Sequence, residues 1–498
     1  MSLTLLLEMA VSGHADRVAL GTRAAGLTFD GLGRNAAGGA TLLRRRDARH
    51  VVFVGRNGPG MPQLLFASAI ADIPFVPVDY RLAREQLLEM IAGLDQPLVV
   101  ADPEYLPLLA ESCDAISMDA FLAEAAAADP ADPAPDDDSA PAVLLFTNGT
   151  TARPKAVVLR HEHLVAYILS TVEFGRAGED EAALVAVLPY HIAAVGSALS
   201  NRRRAPRGGE RALSARPSPS SPTRLARGAA TPPRRSREDR ARGGRRTGKA
   251  DVPSLRPISY GGARMPRPVL ERALTAFESA GFCNAYGLTE TSSTIALLGP
   301  DKHRDALESD DEAVRQRLGS VGLPVPGIEA EIRTDDGGIT PSGVSGQLRV
   351  RGAQVSGEYR DQGSVLDEDG WLDTRDRGWL DAGGYLYIER RSDDTIIRGG
   401  GNIAPGDIED VLLRHPAVKD VAVLGRPDDE WGEKIVAVVR EPSAETGTEA
   451  DADALRAFVR RRLRGSRTPD EIVWCAELPH TPTEKLSRRE LRARLAAT

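Results

Sequence analysis

Short apolar runs and helix-spaced apolar positions alternate through the first third of the chain. HVVFVG (50–55) and FVPVD (75–79) are β-branched runs of strand length. MPQLLFASAIA between them, and LAREQLLEMIAGL after the second, repeat their apolar positions at helical spacing. Strand, helix, strand, helix predicts a parallel sheet with covering helices. The opening MSLTLLLEMAVSGHADR reads as an amphipathic helix without a basic leader. A Pro-, Ala- and Asp-rich stretch, 130–141, predicts a surface linker that delivers the chain to AVLLF (142–146), a buried strand. LVAVLPYHIAAVGSAL (184–199) predicts a strand, a turn at Pro189 and an apolar helix start. Further on come a strand ending in a glycine turn (LRPISYGGARMP), a helix (PVLERALTAFESA) and a strand-to-loop passage (FCNAYGLTETSS). Over 319–387 the spacing of Gly, Pro and alternating apolar residues predicts antiparallel β structure. Past Arg391 the pattern becomes α+β, with IEDVLLRHPAV and ADALRAFVRRRL helical and KDVAVLG and KIVAVVR as strands. A domain boundary is therefore expected at 391–394, dividing the chain into 1–391 and 392–498.

At 498 residues the chain is too long for one compact core. None of its apolar runs approaches the roughly 20 residues needed to span a bilayer as a helix. Cys113, Cys283 and Cys475 are odd in number and far apart, which predicts free thiols in a reducing cytoplasm. The net charge of −8 hides an asymmetry: 202–246 carries fifteen Arg, no Lys and three acids. That block needs its own explanation.

Candidate chemistry concentrates in FTNGTTARPKAVVL (146–159), where Thr147, Asn148, Gly149, Thr150 and Thr151 precede Lys155. Small hydroxylated residues let backbone N–H groups close around an anion, and a lysine adds charge. An ordinary polar hairpin turn is the alternative, and the spacing is not that of a Walker A loop. Tyr286, Thr289 and Glu290 lie in YGLTE at a strand end; alone, Glu290 could be a solvated carboxylate. Asp376 in GWLDTRDRGWLD could equally cap a turn. Two features are set aside. GGRRTGKA (243–250) has G-x-x-x-x-G-K spacing but ends in Ala250 with no strand before it, and His161 and His163 lack a ligand set and read as a helix-start pair.

Taken together, FTNGTTARPKAVVL, YGLTE, the TRD of 374–376, ERRSDDTIIRGGGNIAPGDIED (389–410) and PHTPTEKLSRREL (479–491) resemble the motifs of the adenylate-forming (AMP-binding) superfamily, of acyl-CoA synthetase type. The resemblance implies an α/β fold: a large N-terminal domain of parallel and mixed sheets with covering helices and a β-rich subdomain, and a small mobile C-terminal α+β domain. It implies ATP, Mg²⁺ and CoA as reaction partners. The phosphates would fall to Thr147, Asn148, Gly149, Thr150, Thr151, Lys155 and Thr289. Mg²⁺ would fall to Glu290, and adenine and ribose to Gly261, Gly262, Tyr286, Asp376 and Arg391. Asp393 matches the hinge, Gly399, Gly400 and Gly401 the loop that CoA's pantetheine arm approaches, and Lys485 the catalytic lysine. Departures from the family pattern are Asn148, where serine is usual, and Ala152, Ala156, Arg375 and Glu484, where glycine is usual.

The implied reaction converts a carboxylic acid, fatty or otherwise apolar, into an acyl-adenylate and passes it to CoA. An adenylation enzyme loading a carrier protein is the alternative. LPYHIAAV (188–195) contains no acid to pair an α-ammonium, which resembles acyl-CoA synthetases, and His191 is a candidate gate for the acyl pocket. A different class, nucleic-acid binding through the Arg-rich block, has charge but no aromatic residue for stacking. Between 202 and 248 the large apolar residues are Leu213 and Leu225 alone, too few to offset the entropy of ordering the segment. This composition reads as a frameshift compensated near Lys249, in the place of a strand–helix–strand portion that the family folds beside the acyl pocket.

Overall fold

The computed structural model describes residues 1–22, 25–135, 137–147, 155–172, 182–200, 205–206, 252, 254–391, 396–398, 401–403, 405–428, 431–440, 451–463, 467–480 and 486–496. Its largest sheet has eight strands. In spatial order they are Gly363–Ser364, Glu358–Tyr359, Lys155–Arg160, Pro141–Thr147, Phe75–Pro77, His50–Val54, Pro97–Ala101 and Ala115–Ser117. The last five run parallel to one another, and Lys155–Arg160 turns back antiparallel on Pro141–Thr147.

Alternation along one strand explains why its sequence is a continuous apolar run. Val51 and Phe53 face a core with Leu32, Leu43, Phe66, Phe75 and Phe121, whereas Val52 and Val54 face one with Val76, Leu87, Val99, Leu144 and Val158. A sheet covered on both faces has no polar side to show. The covering helices include Leu3–His14, Phe29–Arg45, Gly60–Ala71 and Met118–Ala127 on one face and Arg84–Ala92 on the other. The helix Phe29–Arg45 starts on the Thr28 hydroxyl, which accepts from Gly31 N at 3.1 Å, and carries Asp30 in its first turn and Arg44 and Arg45 in its last. The linker lies along these helices, with Ala131 N and Ala134 N donating to Ala37 O and Ile70 O.

One expected strand is absent. The 184–187 stretch forms none; pairing is confined to Ala182–Ala183 beside Ala205–Pro206. The carbonyls of Val185 and Val187 instead accept from the Asn57 side chain, and Leu184 is 67% exposed, so this run neither joins a ladder nor enters a core. The helix that follows forms as expected, at Ile192–Ser200.

Pro257–Gly261, Gly281–Leu288, Ser293–Leu298 and Leu323–Pro324 make a four-stranded sheet. Glu329–Arg333, Gly346–Arg351, Leu372–Leu380 and Leu386–Arg391 make an antiparallel one. Beyond 395, Ile396–Arg398, Gly401–Ile403, Val421–Asp428, Gly432–Arg440 and Glu471–Cys475 form a five-stranded sheet. Its two faces bury separate clusters, one around Ile408, Leu412, Ile435 and Val459 and one around Leu424, Val436, Leu478 and Leu491. Among the described residues, no helix is long and apolar enough to cross a membrane.

Candidate functional site

The hairpin of Pro141–Thr147 and Lys155–Arg160 places Thr147 opposite Lys155 in register, and the Thr147 hydroxyl donates to Lys155 O at 3.3 Å. Asn148, Gly149, Thr150 and Thr151, expected at its tip, lie outside the described residues. Lys155 Nζ donates to Gln362 Oε1 at 3.3 Å and stands 5.5 Å from the centre of the Tyr359 ring.

Two segments far apart in sequence meet next to it. Pro257–Gly261 runs parallel to Gly281–Leu288, with Gly261 opposite Ala285. A Cβ on Gly261 would stand 2.1 Å from Ala285 O, so only glycine lets the strand end this close, and Gly262 then turns at a φ of +74°. Gly281–Leu288 bulges at Gly287 and runs into a 3₁₀ turn, Thr289–Thr291, which presents Thr289 and Glu290. The Tyr286 hydroxyl donates to Asp376 Oδ2 at 2.5 Å across ninety positions of sequence. Asp376 is 7% exposed, and its N–H donates to the Thr374 hydroxyl at 3.1 Å. On the adjoining strand its register partner is Arg391. Tyr286, Asp376 and the Arg391 backbone are thus assembled in one place.

Arg375, in the position where glycine was expected, takes a φ of +60° with its side chain exposed, and its N–H donates to Asp373 Oδ1 at 2.9 Å. The turn keeps its shape at the expense of a left-handed arginine.

Glu290 is held from two sides. Its carbonyl accepts from Ser356 N at 2.9 Å and Gly357 N at 3.1 Å, and its Oε1 accepts from the Tyr359 hydroxyl at 2.7 Å. Gln354 Nε2 donates to Thr291 O at 3.0 Å and Thr294 O at 2.9 Å, closing the same turn from behind. Sequence reasoning missed Gln354, Ser356, Tyr359 and Gln362, because nothing in QVSGEYRDQG marks them beyond strand-like alternation.

His191 stands beside Tyr190, ring centres 5.0 Å apart, at the start of Ile192–Ser200. That helix reaches the strand that follows the Glu290 turn: the Cβ position of Gly196 is 3.5 Å from Ser293 Oγ. Tyr190 is bonded by Arg81, and burial raises its hydroxyl pKa. Immediately before Gly261, Tyr260 donates to His303 Nε2 at 2.8 Å, while His303 Nδ1 lies 2.9 Å from Gly299 O. Burial lowers the His303 pKa and raises that of Tyr260, so the pair is neutral and fixes the strand before Gly261.

The histidine pair reads as expected. His161, 2% exposed, accepts from Leu3 N at 3.1 Å through Nδ1, and His163 Nδ1 accepts from Arg160 N at 3.3 Å at a helix start. Among the described residues, no group of three or more His, Cys, Asp or Glu could hold a metal by itself. Asp393, Gly399, Gly400 and Lys485 lie outside the described residues, as does GGRRTGKA; Gly401 begins the strand Gly401–Ile403, opposite Arg398. An ion pair joins the two halves of the chain: Arg264 Nη2 is 2.6 Å from Asp410 Oδ2.

Comparison with known proteins gives a consistent picture. A family model described as "AMP-binding enzyme" matches 7–200 and 218–360, and one described as "AMP-binding enzyme C-terminal domain" matches 407–485. The chain is 30% identical over 512 residues to a feruloyl-CoA synthase of Amycolatopsis, covering 97% of this chain and 96% of that one. It is 34% identical over 433 residues to a sulfoacetate–CoA ligase of Cupriavidus necator, covering 82% and 75%. An o-succinylbenzoate CoA synthetase from Bacillus subtilis, solved with its acyl-adenylate intermediate, shares the fold with a TM-score of 0.79 at 23% identity, covering 98% and 97%.

Proposed function

The chain belongs to the AMP-binding enzyme family, and from that premise we propose the division of labour by which it works as an ATP-dependent acyl-CoA synthetase, an acid–thiol ligase that forms AMP. The observation that carries the reading is the Tyr286–Asp376 contact beside the end of the glycine strand, with Glu290 on the turn that follows the Tyr286 strand.

Tyr286 offers a ring for adenine, with its hydroxyl already committed to Asp376. Asp376, acceptor-only when ionised, takes hydrogen bonds from ribose hydroxyls, with Arg391 opposite. Thr147, Lys155 and the 148–151 loop receive phosphates, and Thr289 adds a hydroxyl. Glu290 is a hard oxygen donor on a rigid turn, which fits Mg²⁺, an ion that binds one or two carboxylates together with substrate phosphates. Bound there, Mg²⁺ would offset phosphate charge. Lys485, carried by the C-terminal domain, neutralises charge building between the acid's carboxylate and the α-phosphate. The carboxylate oxygen attacks that phosphorus, pyrophosphate leaves, and the CoA thiol then displaces AMP from the acyl carbon. The division at 391/392, the hinge at Asp393 and the approach of CoA to 399–401 are parts of the same proposal. Cys113, Cys283 and Cys475, odd in number and far apart in sequence, fit a reducing, cytoplasmic setting.

We take the acid to have an apolar body. The helix after His191 buries Ala194, Val195 and Leu199, and 188–195 carries no charge to meet a second polar group. We assign His191, which precedes that helix, the role of gate to the acyl pocket. A pyrophosphate-release assay over ferulate, phenylacetate, a medium-chain fatty acid and sulfoacetate, with CoA or a phosphopantetheinyl carrier protein as acceptor, tests this. Turnover with apolar-bodied acids and CoA is expected; preference for sulfoacetate would overturn the acid class, and preference for the carrier the acceptor.

We propose that the 202–248 segment replaces acyl-side structure and that a compensated frameshift produced it. The chain as written then turns over slowly, and rewriting the segment restores activity. Translating the encoding DNA in the other two frames decides the origin: absence of an alternating apolar βαβ pattern in both refutes it.

A further inference from the structure

Tyr359 touches both charged groups on which the proposed phosphate and metal chemistry depends. Its hydroxyl donates to Glu290 Oε1 at 2.7 Å, and its ring lies beneath Lys155 Nζ at 5.5 Å. Its backbone pairs with Val157, two residues past that lysine, and its ring body packs on the main core. The flanking residues fix the same geometry. Ser356 N and Gly357 N bond the Glu290 carbonyl, Glu358 grips Arg160 through both carboxylate oxygens at 2.7 and 2.9 Å, and Gln362 accepts from Lys155. Segment 354–362 therefore clamps the lysine strand to the glutamate turn, and Tyr359 is the member that reaches both functional side chains.

We propose that Tyr359 is a positioning residue for nucleotide and metal, with its two ends doing separate work. A hydroxyl donating to a carboxylate is a charge-assisted bond that fixes the plane of the carboxylate. With Oε1 so occupied, Glu290 Oε2, which has no partner among the described residues, is the oxygen aimed for a cation. Partners of this kind around a metal-holding side chain tune affinity by about 10–100-fold. The ring acts on Lys155 instead: a cation within about 6 Å of an aromatic centre is attracted to its face, which restrains the ammonium on a long flexible stem. The hydroxyl thus sets the response to Mg²⁺, and the ring sets affinity for the phosphates themselves.

This inference rests on the reading of Glu290 as the metal-holding carboxylate, and equilibrium binding separates the two. ATP is titrated calorimetrically into the full-length chain with and without Mg²⁺, for wild type, Tyr359→Phe and Tyr359→Leu. Tyr359→Phe keeps the ring and is expected to bind Mg²⁺-free ATP as wild type does, while the Mg²⁺ concentration for half-maximal enhancement rises about tenfold. Tyr359→Leu is expected to lose that response and to bind Mg²⁺-free ATP about threefold more weakly. A Tyr359→Phe profile superimposable on wild type overturns the inference while leaving the proposed function standing. Wild type that binds ATP with no response to Mg²⁺ overturns the Glu290 reading and this inference with it. A Tyr359→Phe chain weakened equally with and without Mg²⁺, its melting temperature lowered in parallel, assigns the tyrosine a merely structural role and also overturns it.

Discussion

The strands around Tyr286, Asp376 and Glu290 and the C-terminal region beyond 395 are held in place by different physics. Around Tyr286, Asp376 and Glu290 the polar contacts are short, partly buried and shared between strands already bonded to one another. Moving any one of these groups would break backbone ladders as well as side-chain bonds. Beyond 395 the chain has its own sheet and cores, and one contact with the rest is Arg264, 44% exposed, on Asp410. Burial raises the Asp410 pKa, and among the described residues its buried Oδ1 has no hydrogen-bond partner, so this contact is poorly satisfied. The first set of contacts is redundant across several strands, and the second rests on an imperfectly satisfied pair.

Lys485→Ala breaks the comparison hardest. If the lysine serves adenylation from a movable lid, its loss lowers acyl-adenylate formation by about 10²–10³-fold, the scale for one lost transition-state charge stabiliser. Thioester formation from supplied acyl-adenylate falls far less. Equal losses in single-turnover assays of the two half-reactions would remove Lys485 from this role. Glu290→Gln, on the fixed side, keeps shape and removes charge; Mg²⁺-dependent turnover is expected to fall about tenfold with an unchanged melting temperature. Wild-type behaviour at saturating Mg²⁺ and ATP would show that Glu290 holds no metal.

Arg264→Ala tests the loose side. With Arg264 44% exposed, the pair is worth about 1 kcal/mol, so the ratio of the two half-reaction rates is expected to shift by about fivefold. An unchanged ratio would make the contact incidental. Smallest is Arg375→Gly. The left-handed φ at 375 costs an arginine about 1 kcal/mol that glycine does not incur, so a rise in melting temperature of a few degrees is expected. A drop would mean that the arginine side chain holds the turn.

Much of this arrangement was legible in the chain because it is local. The apolar runs at 50–54 and 142–146, the helices between them and the glycine turn at 261–262 follow from periodicity and backbone freedom, and each is found where expected. The stretch 184–187 misled because a β-branched run signals strand only when a neighbour offers a ladder, and here Asn57 supplies the partners instead. The Tyr286–Asp376 contact was readable only through the family resemblance, since spacing gives no hint that residues ninety apart meet. Tyr359 escaped altogether. Its importance comes from reaching Glu290 and Lys155 at once, a property of the folded sheet that no motif of adjacent residues encodes.

The central claim is that the nucleotide half is complete in this chain whatever stands at 202–248. Equilibrium binding of Mg²⁺·ATP to the purified full-length protein, beside Asp376→Ala, tests it most directly. Saturable binding that AMP competes for, weakened at least tenfold by Asp376→Ala without loss of fold, is the predicted result. No ATP binding by a folded chain, or binding indifferent to Asp376, would contradict it.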